Sequence, residues 1–227
     1  KDIGKLIETF IQTFKHYSNT SRPALILKTS SATFSVLDKI EMVKRINKAK
    51  RKAGVSDMPN IYLLHGDLTQ KELNYLYNHD KVKAHISFTK GEGFGRPLLE
   101  ASLSGKPVIA SNWSGHVDFL KHSIMLPGKL ANVDKSAAWK DVIIPESSWF
   151  TVNYIYASKI MKEVFKNYGK YTKEANKQAA FSSKNFSIEL MKEKFSEIIS
   201  KHVVEEVDVQ LPTLKKPELK LPKLKKV

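Results

Sequence analysis

Short apolar runs and amphipathic stretches take turns along this chain from Ile3 to Leu126. Within residues 2–17, Ile3, Leu6, Ile7, Phe10, Ile11 and Phe14 recur at helical spacing. Pro23 then opens ALILKTS, an apolar run short enough for a buried strand. Residues 36–53 return to a helical pattern that ends near Gly54, and IYLLHG (61–66) reads as a second strand. Leu68 to Asn78 is predicted helical with Thr69 as its N-cap. AHISFT (84–89) is the third strand, and the Gly-rich KGEGFG follows it. A helix is expected from about Pro97 to Ser104, with Pro in its first turn and Gly105 just beyond its end. PVIAS (107–111) is the fourth strand, HVDFL a short helix, and SIMLP (123–127) a short fifth strand. Such alternation predicts an α/β fold, a Rossmann-like doubly wound parallel sheet with helices on both faces. Ligands of these sheets bind beyond the carboxyl ends of the strands. KTSS, HGD, FTKGEGFG and SNWSGH all fall at such ends.

The pattern then changes. Residues 128–152, with Trp139, Pro145 and Trp149, read as a loop excursion packed by aromatic side chains. Helices are expected over about 153–168, 170–181 and 186–203. From Asp208 onward Pro and Lys interrupt every periodic pattern, so the end of the chain reads as extended and disordered. The expected organisation is one domain over 1–204 and a Pro/Lys-rich tail over 205–227. The chain opens on Lys1 inside an amphipathic pattern, which reads as the start of a fragment.

Charge narrows the partners. The net charge is +15, yet only Arg22, Arg45, Arg51 and Arg96 are Arg. Nucleic-acid readers lean on Arg for bidentate base contacts, so no nucleic-acid partner is expected. A Lys-rich surface favours small anions such as sugar nucleotides. A weak contact of the basic tail with an anionic surface is a further expectation. With no Cys there is no thiolate metal site or Cys nucleophile. The seven His show no paired-ligand spacing and no Asp-x-Asp motif occurs, so no metal is expected. No apolar stretch is long enough to span a bilayer, and a cytoplasmic protein, peripheral to a membrane at most, is expected.

Chemistry concentrates in KGEGFGRPLLEASLSGKPVIAS (90–111). Gly91, Gly93 and Gly95 allow a ligand to approach the backbone closely. The helix start behind them offers free N–H groups and a positive dipole end, which suit phosphate. Glu92 lies in the loop and Glu100 one turn into the helix. Carboxylates only accept hydrogen bonds, and vicinal sugar hydroxyls donate them. Two carboxylates flanking a phosphate cradle therefore suit a sugar nucleotide. The plainer alternative is a capped helix with a solvent-facing Glu in its first turn.

This segment resembles the signature of the large retaining glycosyltransferase family of the GT-B fold, Glu-x7-Glu within EGFGxPLLEAxxxGxPVIAS. The likeness extends to KDIGKLIETF (1–10), IYLLHGDLTQKELNYLY (61–77), SNWSGHVDF (111–119) and FSIELMKEKFSEII (186–199). It implies the C-terminal, donor-binding half of such an enzyme. A nucleotide diphosphate sugar of the UDP or GDP type would be the donor substrate, with no cofactor. A glycan or other acceptor would be held by an N-terminal domain outside this chain, so the chain alone would transfer little. By position, Glu92 and Lys1 would serve catalysis, Glu92 at the donor sugar and Lys1 as half of a phosphate clamp. Glu100 would take the ribose hydroxyls. The amides of Gly93, Phe94 and Gly95 would face the sugar, and those of Leu98 and Leu99 the distal phosphate.

Several positions depart from the family pattern. Arg96 replaces a usual Leu or Met, either reaching a phosphate or sugar carboxylate or pointing to solvent. Ser114 replaces a Gly, and Asp118 a Glu. Lys28 stands at a strand end where Gly is usual and is a candidate phosphate contact. His65, Gly66 and His116 also fall at strand ends and are expected to line the cleft. The three Trp residues are expected to pack rather than to stack on ligands. The competing function is a non-catalytic sugar-nucleotide or polyanion-binding module.

Overall fold

A computed structural model of the chain describes residues 2–29, 34–134, 137–140 and 142–203. The chain divides into two compact units, Lys1–Ser187 and Ile188–Val227. In the first unit α1 (Ile3–Phe14) is followed by β1 (Leu25–Lys28), α2 (Val36–Ala53), β2 (Ile61–Leu64), α3 (Gln70–Asn78) and β3 (His85–Ser87). Then come α4 (Arg96–Ser102), β4 (Val108–Ser111), a 3₁₀ turn at Gly115–Asp118, and β5 (Ile124–Leu126). The unit closes with β6 (Gly128–Asn132), β7 (Ser148–Val152), α5 (Tyr154–Lys166) and α6 (Tyr168–Asn185).

All pairings among β1 to β5 are parallel: β1 lies beside β2, and β4 lies between β3 and β5. Every residue of β4 is buried. Ile109 belongs to a core cluster with Ile7, Ile11, Leu27 and Ile160. Val108 and Ala110 belong to a second cluster with Leu98, Ala101, Phe119 and Leu120. Since successive strand residues point to opposite faces, β4 is covered by apolar side chains on both. That is the layering the alternating pattern predicts.

Local chemistry sets the boundaries. Gly54 ends α2 in the left-handed region, at φ 63°. Thr69 and Glu72 form a capping box at the start of α3: Thr69 Oγ1 accepts from the Glu72 amide at 3.2 Å, and a Glu72 carboxylate oxygen accepts from the Thr69 amide at 2.8 Å. The Thr69 amide first, and then the Thr69 hydroxyl donating to the same carboxylate at 2.8 Å, hold the Glu72 carboxyl below its ordinary range. The other end of α3 is closed by Lys106, whose Nζ donates to the carbonyls of Tyr77 and His79 at 2.8 and 2.5 Å.

Residues 128–152 differ from expectation. They carry an antiparallel pair, β6 with β7, in register Gly128↔Val152 through Asn132↔Ser148. Trp139 and Ile143 form a bridge within the intervening segment. The excursion is a long hairpin rather than irregular loop.

The second unit contains α7 (Ile188–His202), with Ile188, Met191, Phe195, Ile198 and Ile199 at helical spacing. The expected disordered tail (205–227) lies outside the described residues, as does Lys1. Among the described residues no helix is long and apolar enough to cross a membrane.

Candidate functional site

The signature loop leaves β3 and turns into α4 at Gly95, which is buried and has φ 89°. A Cβ there would stand 3.0 Å from the Cβ of His116, so both conformation and space require Gly. Gly115 is bound by space alone: a Cβ on it would overlap the carbonyl oxygen of Gly93. The loop after β4 therefore lies directly against the signature loop. Hydrogen bonds fasten the two. The Gly115 amide donates to the Glu92 carbonyl at 3.0 Å. Ser114 Oγ donates to the same carbonyl at 2.6 Å and accepts from the Glu92 amide at 3.1 Å.

Glu92 is half-buried, and its carboxylate accepts from Thr89 Oγ1 at 2.9 Å. The amides of Gly93, Phe94 and Gly95 donate to no acceptor among the described residues. The Phe94 ring is 48% exposed but leans on Phe119, centroids 5.1 Å apart. Leu98 is a buried core residue. Its amide and that of Leu99 both donate to the Gly95 carbonyl, at 2.9 and 3.3 Å. These two amides were expected to face a phosphate, but they close the first turn of α4 instead.

Glu100 sits on α4 with its carboxylate 3.2 Å from Arg96 Nε. Arg96 thus lies along the helix surface, its side chain 73% exposed, with Nε on Glu100 and its remaining N–H donors facing solvent. The Tyr77 hydroxyl, from α3, also bonds Glu100; burial first, and then this carboxylate, pushes that hydroxyl up to about 12. With Lys106 clamping the Tyr77 carbonyl, α3 braces Glu100 from the side.

The histidines differ from expectation. The His116 ring is fully buried, with Nε2 2.6 Å from the Ser111 carbonyl. Facing a carbonyl, that nitrogen carries the proton. The ring ties the ends of the post-β4 loop together and lines no open cleft. His65 is turned inward as well, with Nε2 2.8 Å from Asp38 Oδ2 and both side chains 6% exposed. It links the end of β2 to the first turn of α2. Gly66, with φ 124°, contributes its carbonyl to Lys28 Nζ at 2.8 Å. The ammonium of Lys28 also stands 5.7 Å from the Phe34 ring centroid. Lys28 is exposed at the carboxyl end of β1 with donor capacity to spare.

Three contributors went unseen in the sequence: Thr89, Tyr77 and Asp2. The amide of Asp2 donates to the Phe88 carbonyl at 2.8 Å. Its carboxylate accepts from the Tyr154 hydroxyl at 2.7 Å and lies 3.6 Å from Lys90 Nζ. Burial first, and then Asp2, raises the Tyr154 hydroxyl well above the usual tyrosine range. Lys90 in turn stands 5.0 Å from the Trp149 ring centroid. Trp113 stacks on Phe150, at 5.8 Å and 3°, and keeps 42% of its surface exposed. Among the described residues no His, Asp and Glu converge as a metal-ligand set.

Residues 5–144 match the family described as glycosyl transferases group 1. The chain belongs to that family. The match spans the signature loop, the post-β4 loop and both sets of parallel strands. No functionally curated protein matches the sequence. Among solved structures, Anabaena Alr3699/HepE in complex with UDP and glucose is similar at 15% identity and TM-score 0.58, over 88% of this chain and 45% of that one. A glycosyltransferase from Rickettsia africae ESF-5 is similar at 17% identity and TM-score 0.60, over 87% of this chain and 44% of that one. The C-terminal domain of a group 1 glycosyl transferase (LpcC) from Francisella tularensis is similar at 16% identity and TM-score 0.57, over 83% and 80% of the two chains. These likenesses show a shared fold. The chain spans less than half the length of the Anabaena and Rickettsia proteins.

Proposed function

We propose that this chain is the donor-binding part of a retaining glycosyltransferase, taking a nucleotide diphosphate sugar and serving glycan assembly. The observation that carries the reading is the pair Glu92 and Glu100 set on either side of the unpartnered amides of Gly93, Phe94 and Gly95. Glu100 takes the ribose hydroxyls, releasing part of its contact with Arg96. Glu92 orients the donor sugar. The three amides meet the sugar and distal phosphate, the place that Leu98 and Leu99 leave unfilled. UDP conjugates are the first candidates, because HepE was solved with UDP-glucose.

As the bond from the anomeric carbon to the phosphate oxygen breaks, its electron pair passes to the nucleoside diphosphate. The acceptor hydroxyl oxygen bonds the anomeric carbon, and its proton passes to an oxygen of the departing nucleoside diphosphate. Fixed N–H dipoles and cations at the distal phosphate stabilise that leaving group. Lys1 and Lys28 are the basic side chains assigned there. Attack requires an acceptor held by a further domain.

The test is a thermal-shift panel of UDP, GDP, ADP and their sugar conjugates at moderate salt, with Glu100→Ala alongside. A ligand at 100 times its dissociation constant adds about 2.7 kcal/mol. One base is expected to stabilise the parent and not the variant. Equal shifts from all nucleotides that vanish with added salt would favour a polyanion-binding module, which the charge of +15 makes the alternative.

A further inference from the structure

The post-β4 loop contains one backbone outlier. Ser114 has φ 80° and ψ −170°, and is the one non-Gly residue with positive φ among the described residues. This region is nearly reserved for Gly, and any other residue there is strained. Gly would fit without strain. What the Ser side chain supplies is specific: its hydroxyl accepts from the Glu92 amide at 3.1 Å and donates to the Glu92 carbonyl at 2.6 Å. One side chain thus satisfies both polar groups of Glu92's main chain.

Two further contacts make the arrangement directional. The adjacent Gly115 amide adds a second donor to the Glu92 carbonyl, at 3.0 Å. Thr89, buried below, holds the Glu92 carboxylate at 2.9 Å. The backbone grip fixes where the Cα–Cβ bond of Glu92 points, and the Thr89 hydroxyl holds the carboxylate at the far end of the side chain, so its direction is set at both ends before any ligand arrives. The same grip uses up the Glu92 amide, so ligand-facing amides begin at Gly93.

We infer that Ser114 is a positioning residue for Glu92: strain at this residue is retained because its hydroxyl fixes the aim of the carboxylate toward the donor's sugar. The inference rests on the donor-site reading, and it assigns Ser114 to recognition of the sugar and not of the nucleotide. The Ser114 hydroxyl's hydrogen bonds both go to Glu92, whereas Glu100, assigned to the nucleotide on that reading, is held by Arg96 and Tyr77.

The experiment compares Ser114→Gly and Ser114→Ala with the parent by titration calorimetry. UDP, GDP and ADP are each run beside their glucose conjugates, and melting temperatures are recorded. Ser114→Gly loses the hydroxyl and the strain; Ser114→Ala loses the hydroxyl and keeps the strain. Both variants are expected to bind the preferred glucose conjugate about tenfold more weakly, the equivalent of ~1.4 kcal/mol. Both should bind the bare diphosphate within about twofold of the parent. Ser114→Gly should melt above Ser114→Ala, which separates the binding loss from stability. Parent-like affinity of Ser114→Gly for the conjugate, or equal weakening of conjugate and bare diphosphate, would overturn the assignment. A parent that binds no nucleotide at all would overturn the donor-site reading itself, and this inference with it.

Discussion

Glu92 and Glu100 are separated by a single Gly-rich turn, yet the protein holds them by opposite means. Glu92 is fixed through its main chain, by Ser114 and Gly115 reaching across from the loop after β4. Glu100 is fixed through its side chain, by exposed Arg96 on its own helix and by Tyr77 on α3. Backbone restraints of the first kind cannot be exchanged for ligand contacts without remodelling two loops. An exposed ion pair of the second kind can. On the proposed donor-site reading, one end of the site would be rigid before binding, and the other would trade a protein partner for a ligand. Preorganisation at the first end limits the ordering that binding must impose.

The rigid end breaks most severely at Gly115. In Gly115→Ala the new methyl meets the Gly93 carbonyl oxygen, and the two loops must part. A loss of about 1–3 kcal/mol is expected in urea unfolding, as for other overpacked sites, together with loss of sugar-nucleotide binding. Parent-like stability would mean that the loops are not in contact. The exchangeable end responds less. Tyr77→Phe removes one hydrogen bond to Glu100 and is expected to cost about 0.5–1.5 kcal/mol.

Tyr77 also sharpens the comparison through pH. Its hydroxyl is raised from 10.0 to about 12, so folding favours the neutral phenol. The stabilisation is complete below pH 10 and is lost as pH rises through about 12. Tyr171, raised to about 12 by burial and then by Glu163, contributes over the same window. Tyr77→Phe should therefore shrink, not abolish, the alkaline loss of stability in melts taken between those two values. An unchanged alkaline loss would remove Tyr77 from contact with Glu100. The smallest effect is expected from Arg96→Leu. Its exposed pair with Glu100 should contribute no more than about 0.5 kcal/mol, and less with added salt.

Much of this was legible in the sequence for local reasons. Periodicity and caps placed α2 at Val36–Ala53, with Gly54 ending it, and Thr69 at the start of α3. The strand–loop–helix order of residues 84–102 followed from Gly, Pro and the apolar runs. What could not be read depends on partners distant along the chain. β6 is Gly-Lys-Leu-Ala-Asn, a weak strand on propensity alone, and it forms because β7 pairs with it across a long excursion. A histidine at a strand end suits a cleft or a buried partner equally. Asp38 and the Ser111 carbonyl decide for burial at His65 and His116, and neither pairing leaves a local signal. Ser114 was visible as a departure from a Gly. Its purpose was not, because Glu92 lies in a different loop.

The placement of β4 also bears on the order in which the protein comes together. Neither of its faces is shielded from water until the layers on both sides have docked. A ligand bound by the loop after β4 would bind the folded chain and not the unfolded one, so its binding free energy would add directly to the stability of that doubly covered strand.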